Sequence, residues 1–167
     1  MIAQPARIIR IFALAITMLG LGSACSSTPV PTRDPAPMAR SAAIHAGIGE
    51  KAAAVAMNQV GVPYRYGGSS PRGFDCSGLV QYSYSRVGKR VPRTTGQLWS
   101  STAVVERHNL RVGDVLFFKI AGKMSHVGLY LGGRRFVHAP SSGRAVTIAS
   151  LDSPFYKDAF LRAGRPQ

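Results

Sequence analysis

Cys76 is the residue of this chain best suited to covalent chemistry. It follows Asp75 at the start of a predicted helix, where unpaired backbone N–H groups and the positive end of the helix dipole favour thiolate over thiol. A thiolate nucleophile needs a general base within hydrogen-bond reach and a third group that orients the base. Of the 4 histidines, His45 lies at a linker edge and His108 in a charged loop, and both are expected to be solvated. His126 and His138 lie on two predicted strands. Their separation is even, so a hairpin centred on Gly132 would set them opposite each other on one sheet face. That geometry needs an odd loop, such as a three-residue turn with a left-handed Gly. A two-residue Gly-Gly turn would pair 126 with 139 and put the rings on opposite faces.

Each of these residues alone has a bland reading. A lone buried Cys behaves as a small hydrophobe, and a lone His on a strand is commonly structural. The joint pattern is harder to reach by chance. Cys, His and His can also bind zinc. However, no Cys-x-x-Cys or His-Glu-x-x-His spacing supports a metal site, and no metal or cofactor is expected.

Residues 48–60 are Ala-rich and helix-favouring, with Gly61 placed to stop them. Residues 62–73 are a Gly/Pro/Ser-rich loop. A second helix is predicted over 76–87, capped by Asp75 and closed by Gly88, with Leu79, Val80, Ser83 and Val87 on its inner face. Short apolar runs at 114–119, 126–131, 135–139 and 145–149 read as strands, and a last strand is expected around 159–163. Helices first and antiparallel strands later predict an α+β fold, N-terminal helices packed on an antiparallel sheet.

The chain has 167 residues, 46% of them hydrophobic and 17% charged, which fits one globular domain. Lys and Arg number 21 against 7 Asp and Glu, a formal charge of +14 that attracts polyanions. Two cysteines are too few for a disulfide scaffold. No apolar run reaches the roughly 20 residues that span a bilayer. Residues 1–24 read as a signal peptide: Arg7 and Arg10, an apolar run over 11–21, then small residues before Cys25. The stretch Leu21-Gly22-Ser23-Ala24-Cys25 resembles a bacterial lipobox, with Gly22 where the pattern usually has Leu. The resemblance implies lipidation of Cys25, and Ser26 after it implies the outer membrane. The alternative is ordinary signal cleavage with Cys25 a bystander. Residues 25–46 then form a lipid-anchored, Pro-rich linker and 47–167 the catalytic domain. The 20 or so residues of linker would reach on the order of 60 Å.

From about Gly61 to Arg165 the chain resembles the NlpC/P60 cysteine peptidases of bacterial cell walls. The resemblance rests on Pro63-Tyr64-Arg65-Tyr66-Gly67-Gly68, Gly73-Phe74-Asp75-Cys76-Ser77-Gly78-Leu79-Val80 and Val91-Pro92-Arg93-Thr94-Thr95-Gly96-Gln97. It continues through Gly113-Asp114-Val115-Leu116-Phe117-Phe118, Ser125-His126-Val127-Gly128-Leu129-Tyr130-Leu131-Gly132 and Phe136-Val137-His138-Ala139-Pro140. It implies a papain-like NlpC/P60 fold, with Cys76 as nucleophile, His126 as general base and His138 as the polar residue that orients it. Tyr64 matches an oxyanion or substrate contact. Asp75 and Ser77 match residues that touch the substrate's amine side in some members. Arg93, Thr95 and Gln97 match a pocket-rim segment.

The implied reaction is hydrolysis of an amide bond in peptidoglycan stem peptides or crosslinks. A resting thiolate–imidazolium pair would attack the carbonyl, and water would then hydrolyse the thioester. The implied setting is a monomeric lipoprotein of the outer membrane facing the periplasm, with no nucleic-acid partner. Two rivals stay open: a non-catalytic wall-binding lipoprotein, and a papain-like amidase or acyltransferase acting on another substrate.

Overall fold

Where a strand's residues alternate between two buried faces, layers must cover the sheet on both sides, and the pattern of β4 and β5 demands this here. The computed structural model describes the backbone of residues 37–167 apart from Ser142, and side chains from Gly47 onward. The signal-peptide and lipobox assignments, including Cys25, lie outside the described residues. Helix α1 spans Pro37–Met57, so residues 37–46, read from the sequence as linker, are helical. A two-stranded hairpin, β1 (Ser69–Ser70) and β2 (Gly73–Phe74), leads into α2 (Cys76–Arg86). Then come α3 (Thr95–Ser101), β3 (Thr102–Val105), β4 (Val115–Ile120), β5 (Lys123–Gly132), β6 (Arg135–His138), β7 (Thr147–Ser150), α4 (Pro154–Ala159) and β8 (Phe160–Pro166). Helix α2 begins where the Asp75 cap places it. The short α3, β3 and α4 are additions to the sequence reading, and the final strand sits mid-sheet as β8.

The six-stranded antiparallel sheet has the order β3-β8-β4-β5-β6-β7. Val115, Phe117, Val127, Leu129 and Val137 point to one face, against Ala52 and Ala56 of α1 and Leu79 and Val80 of α2. Leu116, Phe118 and Phe136 point to the other, where Tyr156 and Ala159 of α4 cover them. The fold is α+β. Among the described residues no helix is long and apolar enough to cross a membrane.

The β5–β6 hairpin corrects one expectation. Its turn has two residues, Gly133 and Arg134, both at positive φ (55° and 59°), closed by the Gly132↔Arg135 pair. Such a turn alone would put 126 and 138 on opposite faces. A register shift between Tyr130 and Gly132 adds one residue to β5, and the ladder continues as Tyr130↔Phe136 and Leu129↔Val137. The bulge restores the even parity, so both histidines share a face. They are diagonal neighbours, not the directly opposed pair expected, because the ladder sets His138 across from Gly128.

Candidate active site

Asp75 fixes the start of α2. Its Oδ1 accepts from the Gly78 N–H at 2.7 Å, the Ser77 hydroxyl at 3.3 Å and Arg93 Nη1 at 2.9 Å. Its Oδ2 accepts from the Gly67 N–H at 3.0 Å and Arg93 Nη2 at 2.6 Å. Arg93 also donates to Ser77 Oγ at 3.0 Å and to the Gly68 carbonyl at 3.4 Å. The carboxylate is thus saturated, and both guanidinium Nη atoms are committed to protein. A bidentate pair of this kind is a rigid clamp. It ties the β1–β2 hairpin to the first turn of α2. Gly78 explains the closeness of that contact, since a Cβ there would overlap the Gly68 carbonyl oxygen.

Cys76 is the first residue of α2, and its thiol faces an open cleft of about 520 Å³. Tyr64, Asp75, Ser77, Arg93 and Thr95 line that cleft with it, as do Tyr66, Thr94 and Ser125. The Sγ lies 3.9 Å from Thr95 Oγ1 and 3.9 Å from the Ser125 carbonyl oxygen, and the Val127 N–H also points to it. The thiol therefore rests on the β5 backbone on both sides of His126, along the edge that β6 no longer pairs beyond Leu129. Gln97 is placed elsewhere. Its side chain closes a capping box with Thr94 at the start of α3, and it lines a neighbouring groove with Pro92 and Ser100.

His126 and His138 are buried, 5% and 2% exposed, among Phe118, Phe136 and Tyr156. Their rings meet edge to face, with His126 Nε2 2.8 Å from His138 Nδ1. Nε2 of His126 is engaged by His138, which leaves Nδ1 for a further partner, while the hydrogen bonds of Cys76 Sγ go to Thr95 and the backbone of Ser125 and Val127, not to either ring. His138 Nε2 in turn lies 3.3 Å from the Tyr156 hydroxyl. Tyr156 escaped the sequence reading because its place depends on α4 folding across the sheet, which no local signal carries.

Burial opposes charge throughout this chain of groups. It pushes the Cys76 thiol up, against the Val127 N–H, the Thr95 hydroxyl and the Ser77 N–H, which favour thiolate. It pulls His126 down to about 4. Burial, then His126 and Arg144, hold His138 at about 3. Burial, then the negative forms of Cys76 and Asp75, raise the Tyr64 phenol at the cleft wall. Burial therefore favours a neutral thiol and neutral imidazoles over the expected thiolate–imidazolium pair. Such a set can pass one proton from sulfur to nitrogen as an electrophile is attacked.

Residues 61–165 match the model of the NlpC/P60 family. The murein DD-endopeptidase MepH of Escherichia coli (strain K12) is 43% identical over 126 residues, 70% of this chain and 46% of that protein. The murein DD-endopeptidase MepS/murein LD-carboxypeptidase of the same strain is 41% identical over 106 residues, 63% of this chain and 56% of that protein. The chain therefore spans about half the length of these relatives. A crystal structure of an NlpC/P60 family protein from Bacillus cereus ATCC 10987 superposes with a TM-score of 0.66 at 31% identity, covering 70% of this chain and 39% of that one.

Proposed function

The chain belongs to the NlpC/P60 family, and from that membership we propose that it is a cysteine-type peptidoglycan endopeptidase cutting an amide bond in murein crosslinks. The observation that carries this reading is the Cys76 thiol on the cleft floor at the start of α2, lying against the backbone either side of a buried His126–His138 pair. The name shared by the two relatives, murein DD-endopeptidase, favours the crosslink over a bond within one stem peptide.

In the first step the thiol proton passes to His126 Nδ1 as Sγ bonds to the carbonyl carbon. The backbone N–H groups at the start of α2 face the developing oxyanion, with the Tyr64 hydroxyl beside them. His138 holds His126 in orientation and accepts from its Nε2. The imidazolium then gives its proton to the leaving amine, the C–N bond breaks, and a thioester remains. Water, deprotonated by His126, hydrolyses that thioester and restores the thiol. Thr95 and Ser77 shape the wall beside Sγ. Asp75 and Arg93 serve the reaction by holding the helix start, because their hydrogen bonds are already spent on each other. Residues 1–24 act as an export signal, and Cys25 carries the lipid that holds a monomer at the periplasmic face of the outer membrane.

The test is a digest of purified peptidoglycan by the full chain in detergent, beside its Cys76→Ala form, with products read by mass spectrometry. Crosslinked dimers converted to monomers by the wild type alone are the expected result. Binding without cleavage by either form would replace the enzyme with a wall-binding lipoprotein.

A further inference from the structure

We propose that Tyr156 is a positioning residue whose hydroxyl oxygen accepts the Nε2 proton of His138 and so sets the tautomers of both histidines. This rests on the reading of His126 as general base. For His126 Nδ1 to take the thiol proton it must carry a lone pair, so the neutral ring is protonated at Nε2. That proton is donated to His138 Nδ1 across 2.8 Å. His138 Nδ1 is then an acceptor, and a neutral His138 must carry its own proton at Nε2. The Tyr156 hydroxyl is the partner of that nitrogen, at 3.3 Å. A hydroxyl can donate or accept. If Tyr156 donated instead, both rings would be protonated at Nδ1, and His126 would present an N–H to the thiol.

At 3.3 Å the contact fits a bond in either direction, and the surroundings favour acceptance. Tyr156 lines an open cleft of about 560 Å³ beside β7 with His138 and Arg144. Its own proton therefore has solvent to go to, while the ring of His138 is almost fully enclosed. The groups facing His138 are His126 from β5, Tyr156 from α4 and Arg144 from the loop before β7, with the Phe136 ring packed against it. Phe118 packs against His126. Among these groups, Tyr156 supplies the neutral oxygen in reach of Nε2.

Tyr156→Phe removes that oxygen and keeps the ring that packs on Phe118 and Phe136. The experiment records imidazole ¹⁵N shifts of the full chain, wild type and Tyr156→Phe, together with kcat, KM, their pH profiles and Tm. In the wild type both histidines are expected to be protonated at Nε2. In Tyr156→Phe the His138 tautomer is expected to become mixed, with kcat down about three- to tenfold, the worth of one hydrogen bond. KM and Tm should stay near wild type. A wild-type His138 protonated at Nδ1 would overturn the assignment, as would a variant with unchanged tautomers and pH profile. A wild type that does not cleave peptidoglycan refutes the proposed reaction instead, and the tautomers then decide the role of Tyr156 alone.

Discussion

At the residue scale, the two histidines tie the proposed chemistry to stability. Each is neutral in the folded protein, with His126 held at about 4 and His138 at about 3 by burial, against an ordinary value near 6.5. The unfolded chain binds a proton on each below pH 6.5, and the folded chain does not until far lower. Their contribution is therefore fully present above pH 6.5 and is lost as pH falls through 6.5 towards 4. Within that window each histidine is worth about 1.4 kcal/mol per pH unit. Denaturation at pH 7 and pH 5 should show the wild type losing more stability on acidification than His138→Asn, which has one fewer buried imidazole. Equal losses would mean that His138 is not held neutral. The same burial predicts cleavage that persists below pH 6, since the base remains unprotonated there.

At the element scale, the question is how β5 and β6 bring their rings together. Gly128 stands across from His138, and a Cβ there would lie 2.6 Å from Phe136 Cδ2, 3.0 Å from the Val137 carbonyl and 3.3 Å from His138 Cβ. Phe136 is fully buried and cannot yield without moving β6. Gly128→Ala should cost about 1–3 kcal/mol by overpacking. It should also lower kcat, because the strand that shifts carries His138. A variant with wild-type kcat and Tm would show that the ring can give way without disturbing the pair. Much of this was legible in advance. The Asp75 cap and Gly88 set α2, and the apolar runs set β4, β5 and β6. That the histidines share a face was legible from their even spacing, but the route was not. The sequence offered an odd loop, whereas the protein uses a two-residue turn, with a non-glycine residue, Arg134, at φ 59°, and a bulge near Leu131. A bulge has no composition of its own to betray it. Helices α3 and α4 have 7 and 6 residues, too short for a 3.6-residue period to register. With α4 unseen, Tyr156 could not be placed. Nor could spacing show that Arg93 and Asp75 would be engaged with each other.

At the scale of the whole molecule, charge bears on how the domain would meet the proposed wall substrate. The full chain carries +14. From Gly47 onward the sequence has 17 Lys and Arg and 6 Asp and Glu. Three of those carboxylates, Asp75, Asp114 and Asp152, are paired with Arg93, Arg165 and Arg134. Each pair cancels one positive charge with one negative, so the excess of 17 over 6 is carried by the remaining Lys and Arg. Lys119, Lys123, Arg135 and Lys157 are among the exposed cations. A wall polymer bearing many carboxylates would be attracted from a distance and held loosely, while the cleft around Cys76 selects the bond. Sedimentation with purified peptidoglycan should show the Cys76→Ala form binding at about 0.01 M NaCl, where the Debye length is about 30 Å. Most of it should be released towards about 1 M, where that length is about 3 Å. Cleavage of a small soluble crosslinked peptide should change far less over the same range, because its contacts lie within the cleft. Salt-independent wall binding would assign recognition to the cleft and leave the positive surface without a part in it.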